Sequence, residues 1–239
     1  MVDVKARKEL RRVDLGELRR PHGLTYLKGH LYFTAERDKR IGRYDPAAQK
    51  VDWTFETNQD GTHMVLASRD GAKLFTSNIG SNSIGILETA TGNEWHQTLV
   101  SVGAGPEGFD QSPDGREVWA AHSRDGGISV IDVASRKVTQ VFDAKTKRSN
   151  RLKFTPDGKA VLVSDLGANA LVVIDTATRA ERARLALPAP TGILVAPDRQ
   201  EAYVAATAGK HVAVVDLKTM TIVRKIDTGS SPDGMAWVK

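Results

Sequence analysis

The chain has 239 residues, 40% hydrophobic and 26% charged, enough to bury a core. It carries 34 basic and 29 acidic side chains and no cysteine, for a net charge of +5. That composition excludes disulfide scaffolds, cysteine-ligated zinc and thiol catalysis. The basic excess is spread over residues 1–20 and the segment KTKRSNR at 145–151 without interleaved aromatics, so no specific nucleic-acid partner is expected. No apolar run approaches the roughly 20 residues that span a bilayer, and no apolar signal core is present in MVDVKARKELRRVDLGELRR, so neither a membrane span nor a signal peptide is expected in the sequence as written.

In chain order, one pattern returns at intervals of roughly 43 residues. The segment 103–144 serves as template; 148–187 and 188–228 follow it, 61–102 matches with Arg69 in place of proline, and 21–57 matches with a shorter first turn. Pro113, Pro156 and Pro197 recur 43 and 41 residues apart. Asp45, Glu88, Asp132, Asp175 and Asp216 each lie 13 residues after Tyr32, Phe75, Trp119, Leu162 and Tyr203. Each repeat holds four short β-prone runs. The first ends at SPDG, TPDG or APDR, where proline sets φ and Asp-Gly supplies the reversal. The second and third, such as AVLVSD and ALVVID, are near-continuous apolar runs, as in strands covered on both faces. The fourth, such as ERARLAL, alternates like a strand half open to water.

Four strands per repeat, with no segment of helical period, predict an all-β protein, a β-propeller of four-stranded blades. The expected blades are 17–57, 58–102, 103–144, 145–187 and 188–228, with a split blade from 1–16 and 229–239 in one propeller domain. Trp53, Trp95, Trp119 and Trp237 are expected in blade packing. The opening VDVKARKELRRVDLG (2–16) aligns without a gap to VDLKTMTIVRKIDTG (215–229), which places Val2-Asp3 at the end of a third strand and Leu10–Leu15 in a fourth. GSSPDGMAWVK matches only the first strand of a blade. Either Met1 falls inside a longer natural protein, or the ring is open or completed by a partner, in which case its unpaired edges would favour self-association.

The pattern G-x-x-P, SPDG, a degenerate YVTN stretch (FTSN, WAAH, LVSD, YVAA), V-x-VID and T-x-K-V resembles the YVTN-type β-propeller repeat proteins of bacteria and archaea. The subset it is most similar to is the cytochrome d1-like or surface-layer-type propellers ending in PDGMAWV, as at Pro232–Val238. The resemblance implies about seven blades and a periplasmic or extracellular setting; the absence of a signal peptide leaves localisation open. No C-x-x-C-H attachment site is present, so no covalent haem is expected, and the resemblance does not by itself imply haem d1 binding.

In this fold ligands sit at the mouth of the central channel. The residue after the G-x-x-P position reads His22, His63, Glu107, Asn150, Thr191 and Asp233, with Arg151 crowding the mouth. Gly23, Gly108, Gly192 and Gly234 follow in four of the six and are expected to let the backbone bend. Two imidazoles and two carboxylates in one mouth could bind a small molecule or protein, hold a divalent metal through Glu107 and Asp233, or use His22 and His63 as acid and base; a merely wet channel needs none of these. A second column, Asn78, His122 and Asp165, with Ala35 and Ala206 in the other blades, is expected to cap turns. His30, His96 and His211 are expected to face solvent. No G-x-S-x-G elbow, P-loop or HExxH is present, and GAGPEG precedes no helix. The expected function is a non-enzymatic binding or scaffold propeller; the alternative is a metal-dependent lactonase- or lyase-like enzyme, a reading to which PHGLTYLKGHLYFTAE (21–36) lends some resemblance.

Overall fold

The computed structural model describes residues 1–89, 94–198 and 200–238. Five sheets of four antiparallel strands follow one another along the chain. The first blade is Pro21–Leu27, His30–Ala35, Arg40–Asp45 and Lys50–Glu56, with a single 3-10 turn at Glu36–Asp38. The second is Thr62–Ala67, Lys73–Asn78, Ser83–Thr89 and Trp95–Ser101; the third is Pro106–Gln111, Glu117–His122, Gly127–Asp132 and Lys137–Asp143. The fourth is Ser149–Phe154, Ala160–Asp165, Ala170–Asp175 and Glu181–Ala186; the fifth is Pro190–Val195, Glu201–Ala206, His211–Asp216 and Thr221–Asp227. Each pairs only with its sequence neighbours, inner strand to outer strand. The fold is an all-β propeller of five complete blades and a split terminal blade.

The burial pattern explains the layering. Ala160–Asp165 is buried at every position, whereas Glu181–Ala186 alternates towards solvent. One face of each blade packs on the next: Phe75 and Ile84 meet Phe109 and Val118, Trp119 and Ile128 meet Phe154 and Val161, and Leu171 and Val173 meet Val204 and Val215. Trp119 is fully buried, and Trp53 lies against Trp95 with ring centroids 5.3 Å apart. The turn chemistry is local. Ser112 and Thr155 hydroxyls donate to Asp114 and Asp157 in the Pro-Asp-Gly turns, where Gly115 and Gly158 take φ of 77° and 69°. Arg199, in the fifth such turn, lies outside the described residues. At the third-to-fourth turn Asp45, Asp132, Asp175 and Asp216 accept backbone N–H groups two or three residues on; Glu88 pairs with Lys73 and Arg136, and the turn after it lies outside the described residues.

The split blade has a recognisable geometry. Val2–Asp3 pairs with Lys8–Glu9 in the register Val2↔Glu9 and Asp3↔Lys8, the same as Val215↔Ile222 and Asp216↔Thr221 in the fifth blade. Ala6 N–H donates to Asp3 as Thr219 N–H does to Asp216, and Arg7 and Met220 take positive φ at the same place. The expected fourth strand over Leu10–Leu15 is not formed: the ladder stops at Lys8–Glu9, and Val13, Leu15 and Leu18 pack on Phe33 and Tyr44. Residues 229–238 form no strand, yet Thr207 Oγ1 donates to Pro232 O at 2.8 Å and Trp237 contacts Tyr203 with centroids 6.2 Å apart. Among the described residues no ladder joins the two ends.

Candidate functional site

All five inner-to-second-strand ladders carry a register irregularity at the same place: Pro21/Leu24, Thr62/Met64, Pro106/Gly108, Ser149/Arg151 and Pro190/Ile193. The residues inside these bulges include His22, His63, Glu107, Asn150 and Thr191. A bulge re-aims a side chain without ending the strand; here it turns one polar residue per blade out of the ladder at the channel mouth.

The glycines beside them have another cause than the expected bend. A Cβ on Gly23 would sit 2.6 Å from Val65 N, on Gly108 2.4 Å from Arg151 Cα, and on Gly192 2.0 Å from Asp233 O. Gly23, Gly108 and Gly192 are glycine because the next inner strand passes through the space a side chain would fill. Gly192 shows the tail at Asp233 lying where a sixth inner strand would. Nothing approaches Gly234.

His22 and His63 stack, with centroids 3.7 Å apart and planes at 30°. His63 Nδ1 is 3.4 Å from Glu36 Oε1 and His63 Nε2 is 3.9 Å from Glu107 Oε1. Asn150 Nδ2 donates to Glu107 Oε1, and Arg151 Nη1 lies 3.7 Å from that oxygen while donating to Asn150 O at 3.0 Å. Arg20 Nε pairs with Glu36 Oε2 at 3.0 Å. Burial lowers the His63 pKa to about 3, helped by His22, Arg151 and Arg20, so the ring is neutral at pH 7. His22 is lowered too, first by burial and then by Arg151, against the pull of Glu36 and Asp233. Burial raises Glu107 against the opposing effects of Arg151, Arg148 and Asn150. Both ring nitrogens of His63 and Oδ1 of Asn150 are buried without a hydrogen-bond partner, on residues only 7% and 8% exposed.

The mouth thus gathers His22, His63, Glu107, Asn150 and Arg151, with the charge of exposed Asp233 acting on both His22 and Glu107. Thr191 is not part of the polar cluster; its hydroxyl is spent on Thr207 and Pro232 O. Sequence reasoning missed Glu36 and Arg20. Their signal is the first-blade stretch FTAE, where a carboxylate follows Ala35 in the column that elsewhere holds Asn78, His122 and Asp165.

That second column does cap. Asp165 accepts from the N–H groups of Lys147, Arg148 and Ala168, Asn78 bonds Ser83 and Thr62, and His122 bonds Asp125 and Ser129. Of the other histidines, His96 is exposed and His30 half-buried. His211 is a correction: it is 6% exposed, because its ring fills the space over Gly209 and bonds Gly209 O. Among the described residues the three-donor set close enough for one metal is His30, Asp45 and Asp52, not Glu107 and Asp233; both Asp52 oxygens already accept from Arg43.

Consecutive four-stranded blades around a polar mouth define the class as a β-propeller. The sequence matches the cytochrome d1 heme domain family over residues 62–198, more than half of its length, and the chain belongs to that family. It is 28% identical over 143 residues to the uncharacterised protein YncE of Salmonella typhi, a match covering 58% of this chain and 40% of that relative's length. Among solved structures, a streptogramin B lyase superposes with TM-score 0.74 at 19% identity, over 88% of this chain and 69% of the other. Hydrazine synthase of Kuenenia stuttgartiensis gives TM-score 0.67 at 15% identity, over 94% and 91%. Such identities speak to the fold. His63 does not fit an axial haem ligand: the in-plane lone pair of an imidazole nitrogen must point at the iron, and both of its ring nitrogens are buried, Nδ1 towards Glu36 and Nε2 towards Glu107. No described helix is long and apolar enough to cross a membrane.

Proposed function

We propose that the protein is a non-enzymatic binding propeller whose channel mouth receives a ligand, either a small molecule or a group presented by a protein partner. The observation that carries this reading is the set of three unpartnered polar atoms on His63 and Asn150. An unmet buried donor or acceptor costs about 1–3 kcal/mol, and a ligand that pairs these atoms recovers that cost. The pKa of about 3 for His63 favours binding over catalysis, because a general base works best with a pKa near the working pH. The enzyme alternative keeps one supporting feature, a carboxyl raised by burial at Glu107 beside a neutral imidazole. In that reading His22 and His63 act as acid and base, with Glu107 and Asp233 toward a metal.

The test is a thermal-shift screen of a metabolite library on the purified protein, repeated with His63→Ala and Asn150→Ala. Ligands whose shift disappears in both variants support the mouth as the site. Ligands indifferent to both variants overturn it. Turnover of a lactone that is lost in Glu107→Gln would establish the enzyme reading instead.

A further inference from the structure

The chemistry left open at the mouth also restricts what can fill it, provided the binding reading above holds. Three carboxylates, Glu36, Glu107 and Asp233, stand against three guanidiniums, Arg20, Arg148 and Arg151, with both imidazoles neutral at pH 7. The balance is zero with Glu107 ionised and +1 with Glu107 protonated, the direction in which burial pushes it. An anion would meet three carboxylates with the two nearest guanidiniums already engaged: Arg20 on Glu36, and Arg151 on Asn150 O and near Glu107. A cation would face the same guanidiniums, with Arg20 3.0 Å from Glu36 Oε2 and Arg151 3.7 Å from Glu107 Oε1. The donors needed for a metal are not gathered here. An apolar ligand would bury His63 and Asn150 and leave them unpaired.

A neutral imidazole offers one donor and one acceptor nitrogen, and Asn150 Oδ1 offers an acceptor. Two hydroxyls meet all three: each O–H donates to one acceptor, and one of the oxygens accepts from the ring N–H. The unpaired atoms flank Glu107 Oε1, which takes Asn150 Nδ2 on one side and lies 3.9 Å from His63 Nε2 on the other. Neighbouring hydroxyls on one small scaffold would therefore reach both residues. The exposed His22, stacked on His63, adds a flat surface beside them.

We infer that the mouth binds an uncharged, polyhydroxylated small molecule of the sugar class, held by hydroxyls paired to His63 and Asn150. Three probes on one ring separate the charge classes: methyl β-D-glucopyranoside, D-glucuronate and D-glucosamine, with calcium chloride as a fourth. Binding is read at pH 7 from the imidazole proton resonances of the whole chain, assigned through His22→Gln and His63→Gln. The expected result is a saturable shift of the His63 resonance with the glucopyranoside. It should be at least about five-fold weaker with either charged sugar and lost in Asn150→Ala, with Asn150→Ser as the folded control if alanine disturbs the bulge. Tighter binding of a charged sugar or of calcium at His63 overturns the ligand class and leaves the binding mouth standing. No shift from any probe also overturns the class, while the mouth itself stands or falls on the library screen.

Discussion

Two polar columns run side by side at one end of the blades, and they are buried almost equally. Asn78, His122 and Asp165 are 0–1% exposed, and His63 and Asn150 are 7–8% exposed. They differ in what their atoms do. Asp165 takes three backbone N–H groups and His122 uses both ring nitrogens, whereas His63 uses neither and Asn150 leaves its oxygen unpaired. Position in the strand explains the difference. The first column sits in regular ladder at the end of the second strand, where a turn supplies partners; the second sits in bulges, which remove a residue from the ladder. Burial alone would have classed all five as structural, and only the accounting of partners separates a cap from a site.

The largest effect should come from the capping column. Asp165→Ala removes the acceptor of three N–H groups and should lower the unfolding free energy by about 3 kcal/mol in urea denaturation; a loss under about 1 kcal/mol would erase the distinction. His122→Phe, which leaves Asp125 and Ser129 without their ring partner, should cost about 2 kcal/mol by the same measurement.

The pH dependence sharpens the contrast. The folded His63 pKa of about 3 lies below the unfolded value near 6.5. The unfolded chain therefore takes up a proton first as pH falls. The contribution is fully present above about pH 6.5 and is lost as pH falls towards 3, at up to about 1.4 kcal/mol per unit and about 2 kcal/mol by pH 5. Glu36, Glu107, His22, Arg20 and Arg151 face this ring, so the comparison is between the wild type and His63→Phe, which should lack this part of the acid slope. The smallest effect is that of His63→Phe on stability at pH 7. Removing an unpaired polar ring in exchange for an apolar one should change it by less than about 1 kcal/mol in either direction, while thermal shifts by mouth ligands disappear.

Most of the fold could be read from the sequence because the repeat samples each structural decision several times. The 13-residue offset from Tyr32 to Asp45 spans two strands and their turn, and it returns in all five blades. The mouth column was legible by the same alignment, but its bulges were not: no residue type marks them, and their glycines answer to a neighbouring strand rather than to their own φ. Glu36 and Arg20 were invisible because they enter from the 3-10 turn and its partner loop, which occur in one blade only. Thr191 has the right position and the wrong partners, since Thr207 and Pro232 sit within reach of its hydroxyl. His211 looked like a strand-start surface residue, and Gly209 two places earlier is what allows its ring to fold inward.

Each of the five complete blades draws its four strands from one continuous stretch of chain, and among the described residues no ladder staples the first residues to the last. Adjacent blades are coupled by packed side chains, so the molecule behaves as a row of neighbour-coupled units. A load applied to the two ends would reach the packing of the end blades without first breaking a shared sheet. Under such a load the blades should come apart from the ends inward, giving a stepwise force trace in which the third blade is the last to yield.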